Sequence, residues 1–171
     1  MTSGAAAMTD PTLVAVIVGS ASDADQIAGC RETLRRLGIG HEARVLSAHR
    51  TPAELIAYVA GLEPRGIEVV IAAAGMAAHL AGVVAAHTAL PVLGVPLASG
   101  ALQGVDALLA TIQMPPGVPV ATLGIGAAGG RNAAYLAARI LAARHPGVKT
   151  LLHQAMTEDH DRVLEAELPE I

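Results

Sequence analysis

An α/β domain, with a parallel sheet covered by helices on both faces, is the fold class that this sequence predicts. Three observations carry the prediction. Short β-branched runs recur along the chain, helical periodicity fills the intervals between them, and Val69 to Val105 carries no Asp, Glu, Lys or Arg. Strands buried on both faces need such apolar stretches, and regular alternation of strand with helix is the pattern of a parallel sheet. The 171 residues suit one domain with a sizeable core.

Thr12 to Val18 reads as the first strand, ending at Gly19. Ile27, Cys30, Leu34 and Leu37 then recur at helical spacing until Gly38 stops the helix. His41 to Leu46 forms a second strand. Thr51-Pro52-Ala53-Glu54 has the form of an N-cap, a proline at the first helical position and a capping-box glutamate, and it starts a second helix that ends near Gly61. Ile67 to Ala73, Pro91 to Val95 and Val118 to Ile125 read as the third, fourth and fifth strands, with helices at His79 to His87, Val105 to Ile112 and Arg131 to Ala143. His145-Pro146-Gly147 punctuates the chain, after which Val148 to Glu165 is an extra amphipathic helix with no sixth strand to return to. The expected division is a mobile N-terminal tail at residues 1–11, a single domain at 12–145, and a C-terminal helix at 146–171 that packs on the domain or on a neighbouring subunit.

Hydrophobic residues make up 53% of the chain and charged residues 15%, against an average of about 25% charged in soluble domains. Aromatic residues are 1%, with no Phe or Trp, so the core has to be built from Ala, Val, Leu and Ile with backbones close together. A lone monomer struggles to cover so much apolar surface, and a homo-oligomer is expected. The net charge of −4 and the lack of stacking aromatics argue against nucleic acid as a partner. No polybasic membrane patch is present, and His79, His87, Pro91, Pro96 and several glycines break the uncharged stretch into pieces too short to span a bilayer. The start lacks the basic and apolar regions of a signal peptide. Cys30 is the single cysteine and lies on an apolar helical stripe, which fits a packing role in the reducing cytoplasm. The histidines show no metal-ligand spacing, and neither a nucleophile elbow nor a Walker pattern occurs.

Ligands of open parallel sheets gather at the carboxyl ends of strands, close to the point where strand order reverses. Three polar segments occupy such ends. Gly19-Ser20-Ala21-Ser22-Asp23 offers hydroxyls and the positive end of a helix, suited to a phosphate or a ribose, although Ser22 as a helix cap and Asp23 as a dipole partner are adequate structural readings. Within Ser47-Ala48-His49-Arg50-Thr51-Pro52, the helix start accounts for Thr51, Pro52 and Glu54, which leaves Ser47, His49 and Arg50. Arg50 can clamp a phosphate, and an imidazole such as that of His49 can give and recover a proton near neutrality, although a loop His beside an Arg is commonly a surface residue. In Ala74-Gly75-Met76-Ala77-Ala78-His79, small residues expose backbone N–H groups to a ligand, while His79 opens the next helix. Gly124-Ile125-Gly126-Ala127-Ala128-Gly129 mimics a dinucleotide fingerprint but lacks the acidic residue at the end of a following strand, so its glycines are read as close packing or a subunit contact.

Together these segments resemble the PurE family, the bacterial N5-carboxyaminoimidazole ribonucleotide mutases of purine synthesis, from Val14 to about Ala143. The likeness includes Gly19 to Asp23, Ser47 to Pro52, Ala77 to Leu80, Leu90 to Pro96, Gln113 to Pro115, Gly117 to Thr122 and Asn132 to Ala134. It implies a flavodoxin-like three-layer α/β/α sandwich with five parallel strands and an extra C-terminal helix, assembled as an octamer with sites between subunits. No metal or organic cofactor is implied, and the substrate is a small nucleotide. By the same resemblance, Ser20, Asp23 and Arg50 hold the ribose phosphate, Ser22 and Ser47 support the pocket, Ala74, Gly75, His79 and Leu80 contact the substrate on the side of its carboxylated base, and His49 shuttles the proton. Three positions depart from the family pattern: Ala24 stands where Trp is usual, Met76 where Gly is commoner, and Ala81 where Pro is commoner. If positions 24 and 76 are close, losing a ring and gaining a thioether exchange volume.

Overall fold

The computed structural model describes residues 11–168. The N-terminal tail expected at residues 1–11 therefore lies, apart from Pro11, outside the described residues. Five parallel strands form one sheet: β1 (Thr12–Val18), β2 (Gly40–Val45), β3 (Val69–Gly75), β4 (Val92–Leu97) and β5 (Ala121–Thr122). Their order is β2-β1-β3-β4-β5, so the chain winds outward from β1 in one direction, then from β3 in the other. The strand order reverses between β1 and β3, where Val14 to Val18 pair with Val69 to Ala73.

Alternate residues of the strands feed two cores. On one face Val14, Val16, Ile71, Leu93 and Val95 meet α1 (Ala24–Arg36), α5 (Gly126–Leu141) and α6 (Pro146–Leu164). On the other, Ala15, Ile17, Val70 and Ala72 meet α2 (Pro52–Ala60) and α3 (Leu80–Ala85). The remaining helix, α4 (Val105–Ile112), buries Ala107 and Thr111 on that second side, where a Cβ on Gly94 would come within 2.5 Å of Thr111 Cγ2. A core without Phe or Trp holds together because backbones approach closely. Buried Gly129, Gly130, Ala133, Ala134, Ala137 and Ala138 form the inner face of α5, and Gly130 faces Ile27 and Cys30 of α1.

Two boundaries differ most from the sequence expectation, and the start of α2 differs in its bonding. The fifth strand is two residues long, not Val118 to Ile125, because Pro115, Pro116 and Pro119 donate no ladder hydrogen bonds and pairing is confined to Leu93 with Ala121 and Gly94 with Thr122. Helix α5 begins at Gly126, five residues before Arg131. The run Gly126-Ala127-Ala128-Gly129-Gly130 has weak intrinsic helix preference, and it is helical because only small residues fit there: a Cβ on Gly129 would lie 1.6 Å from the Gly124 carbonyl oxygen. The fingerprint-like glycines thus serve close packing of helix on strand. Thr51 occupies the N-cap of α2 with Pro52 in the first turn, but its hydroxyl makes no cap bond and is used within the Ser47 turn instead.

Helix α6 lies on its own domain, burying Val148, Leu152 and Ala155. Polar contacts hold its outer side: Arg36 of α1 pairs with Glu158 at 2.6 Å and Tyr135 of α5 donates to Asp159 at 3.1 Å. Val163, Leu164 and Leu168 beyond them remain exposed. Among the described residues, no helix is long and apolar enough to cross a membrane.

Candidate active site

The carboxyl ends of β1, β2, β3 and β4 surround a cleft of about 530 Å³. It is lined from β1 by Gly19, Ser20, Ser22 and Asp23, from β2 by Ser47, Ala48, His49 and Arg50, from β3 by Ala74, Gly75, Met76 and Ala77, and by Leu80 and Ser99. All the residues singled out from the sequence except His79 line this one cleft. His79 reaches it through His49.

The β1 segment leaves the sheet at Gly19, whose N–H donates to the Ala73 carbonyl of β3 at 3.1 Å. A short 3₁₀ turn, Ala21–Asp23, follows, and its N-cap is Ser20: the Ser20 hydroxyl accepts from the Ser22 N–H at 3.3 Å and lies 2.8 Å from the Ser22 hydroxyl. Capping therefore falls to Ser20, where the sequence had suggested Ser22, and Asp23 at the N-cap of α1 makes no side-chain cap bond. Burial raises the Asp23 carboxyl above its usual range, opposed by a hydrogen bond from the Ser20 backbone and by the charge of Arg50.

The β2 segment is braced by its own side chains. Ser47 N–H donates to Thr51 Oγ1 at 2.9 Å, and that hydroxyl donates back to the Ser47 carbonyl at 3.2 Å. The Ser47 hydroxyl accepts from the N–H groups of His49 and Arg50 at 3.3 and 3.2 Å, which fixes the backbone of both. Arg50 then reaches across to donate from Nη2 to the Gly19 carbonyl at 3.1 Å, joining the ends of β2 and β1.

At the end of β3 the chain turns sharply. Met76 has a φ of +55°, in the left-handed region that costs a side-chain-bearing residue roughly 1–2 kcal/mol. Two tight turns follow, with Ala78 N–H donating to Met76 O and His79 N–H to Ala77 O, each at 2.8 Å. This brings His79 to the start of α3, where its Nδ1 lies 2.8 Å from His49 Nε2 with the rings edge to face. A contact of that length requires a proton between the two nitrogens. One ring donates an N–H and the other accepts, the roles being set by the tautomers.

Ser99 lies in no segment singled out from the sequence, and Met76, like Gly19, Ala48 and Ala77, lines the cleft without having been assigned a role. Ser99 follows β4, so the strand-end rule could have found it, but its segment lacks the charged and imidazole groups that marked the others. It enters the cleft because Gly75 has no side chain: a Cβ there would stand 2.7 Å from Ser99 Oγ. The Gln26 side chain pins the same loop through two bonds to the Ala98 backbone, at 3.1 and 3.0 Å. Ala24, the first residue of α1, is not among the residues that line the cleft. Ala81 is buried in the second core. Among the described residues, no cluster of His, Cys, Asp or Glu is placed to hold a metal ion.

Fold and cleft define a doubly wound α/β protein whose strand-end cleft brings an arginine beside a hydrogen-bonded imidazole pair. The family model described as AIR carboxylase matches residues 13–162, and the chain belongs to that family. It is 53% identical over 153 residues to the N5-carboxyaminoimidazole ribonucleotide mutase of Pseudomonas aeruginosa, covering 90% of this chain and 94% of that protein. The mutase of the same name from Escherichia coli is 46% identical, with 91% and 92% covered. The crystal structure of Treponema denticola PurE superposes with a TM-score of 0.79 at 25% identity, over 90% of this chain and 94% of that one. These mutases are enzymes of purine biosynthesis, and the flavodoxin-like fold expected from the sequence matches that of the solved relative.

Proposed function

We propose that this protein is an N5-carboxyaminoimidazole ribonucleotide mutase, moving a carboxyl group from the exocyclic nitrogen of the imidazole to the ring carbon beside it. The observation that carries the reading is the His49–His79 pair set next to Arg50 in the cleft of a chain so similar to enzymes of that name.

Arg50 and Ser20 take the phosphate, and the Asp23 carboxylate is an acceptor for ribose hydroxyls. Ser22 and Ser47 support this end through the hydroxyl contacts already described. The small residues Ala74 and Gly75, with Leu80 below them, leave room for the flat base and its carboxylate. His79 faces that side through His49. The bond between the exocyclic nitrogen and the carboxyl carbon breaks, releasing carbon dioxide, and a proton from His49 goes to the nitrogen. The ring carbon then attacks the trapped carbon dioxide, and His49 recovers a proton from that carbon as aromaticity returns. Acid/base action supplies about 10²–10⁴-fold, so orientation and confinement supply much of the rest. The chemistry asks for no metal or organic cofactor.

The reading extends to a cytoplasmic homo-octamer whose sites lie between subunits. It is supported by the apolar surface that one chain leaves open: Leu102, Val105, Leu109 and Ile112 are each more than half exposed along one side of α4 and the loop before it. Val163 and Leu164 at the end of α6, and Leu168 beyond it, add to the open apolar surface. The domain itself is taken as residues 12–145.

The test is interconversion of N5-carboxyaminoimidazole ribonucleotide and its ring-carboxylated isomer by the purified protein, without ATP, metal or bicarbonate. Conversion is the expected result, and a well-folded protein that performs none overturns the proposal. The family description favours one rival, direct carboxylation. Turnover only of aminoimidazole ribonucleotide with high bicarbonate would select it.

A further inference from the structure

Met76 is an unusual choice for the place it occupies. Its backbone is left-handed, at a φ of +55°, where glycine would sit without strain. Its side chain is 59% exposed, so the core gains little from it. Folding alone therefore gives no reason for a thioether here. Met76 does line the cleft, together with the apolar residues Ala74, Ala77 and Leu80. On its far side it leans toward the β4 loop, its Cγ 4.0 Å from where a Cβ on Gly100 would stand.

We infer that Met76 is a positioning residue that closes an apolar wall here, keeping carbon dioxide in the cleft and water out during carboxyl transfer. The inference rests on the mutase reading. Carbon dioxide is small and without hydrogen-bond donors, so polar side chains hold it poorly. Retention depends on filled space, and a flexible, polarizable thioether fills irregular space well. Closing an apolar wall also excludes the water that would divert the reactive intermediate. Backbone strain of this kind clusters at functional sites.

The experiment follows the carboxyl carbon. Wild type, Met76→Gly and Met76→Ala each convert unlabelled N5-carboxyaminoimidazole ribonucleotide in buffer containing ¹³C-bicarbonate, with an enzyme-free control, and the label in the ring carboxyl of the product is read by mass spectrometry. Wild type transfers mostly unlabelled carboxyl. Both variants take up several-fold more label per turnover, with kcat reduced more than KM is changed. Met76→Gly melts at the same temperature as wild type or higher, which separates the effect from a loss of stability. Equal labelling in all three proteins overturns the inference and leaves the mutase reading standing. Loss of all turnover in both folded variants also overturns it, because a wall residue does not carry out the chemistry. Absence of conversion by wild type overturns the mutase reading and this inference together.

Discussion

Ser47, His49 and Arg50 divide the work of one loop. The Ser47 hydroxyl holds the backbone of the other two, Arg50 ties the loop to β1, and the His49 ring is left to meet His79. Asp23 closes the same end of the cleft at a cost. Its carboxyl is raised chiefly by burial, so the folded protein binds its proton more tightly than the unfolded chain does. That preference stabilises the fold below the ordinary carboxylate range and is lost as pH rises through that range toward the raised value. At neutral pH the charged group is thus a small burden on the empty protein. Asp23→Asn is expected to melt at pH 7 no lower than wild type in the absence of ligand, while binding the ribonucleotide more weakly by calorimetry. A lowered melting temperature would contradict the burial account. Most of these residues were legible from the sequence because each combines reactive chemistry with a strand end. Ser99 and Met76 were not assigned, since the cleft reaches them through a missing side chain at Gly75 and a left-handed backbone that the sequence does not display.

The elements show where local preference yields to packing. Strands β1, β3 and β4 were plain in their β-branched runs, and α4 matches its expected bounds because nothing competes with its periodicity. The start of α5 was hidden, since glycines that weaken a helix in isolation are the only residues that fit beside Gly124. Gly129→Ala tests that reading. With the added methyl directed into the Gly124 carbonyl, it is expected to lower stability to urea by about 3 kcal/mol, the upper part of the range for overpacking. A change within about 0.5 kcal/mol, ordinary for a surface substitution, would show that the contact relaxes freely. Helix α4 presents the opposite case, a face with too much apolar surface for solvent. Leu109→Glu is expected to reduce the assembly to smaller species in analytical ultracentrifugation with the circular dichroism of the fold retained. An unchanged assembly would exclude this face as a subunit contact.

For the whole molecule, composition and topology make one argument. A chain with so few aromatic and charged residues builds its core by close backbone approach, as α1 against α5 shows, and leaves apolar side chains of α4 exposed. The same topology gathers the ends of β1, β2 and β3 at the reversal of strand order, so residues distant in sequence share one cleft. The buried Cys30 thiol, pushed up to about 12 chiefly by desolvation, lies in the core beside α5 and is not among the residues that line the cleft. The central claim is that carboxyl transfer in that cleft depends on the proton of His49. It is tested most directly by measuring kcat and nucleotide affinity for His49→Asn beside wild type at neutral pH, with both proteins in the same assembled state. The account predicts that affinity is kept while kcat falls by at least about 10²-fold, the usual weight of an acid/base group. Near-normal turnover in that variant would contradict it.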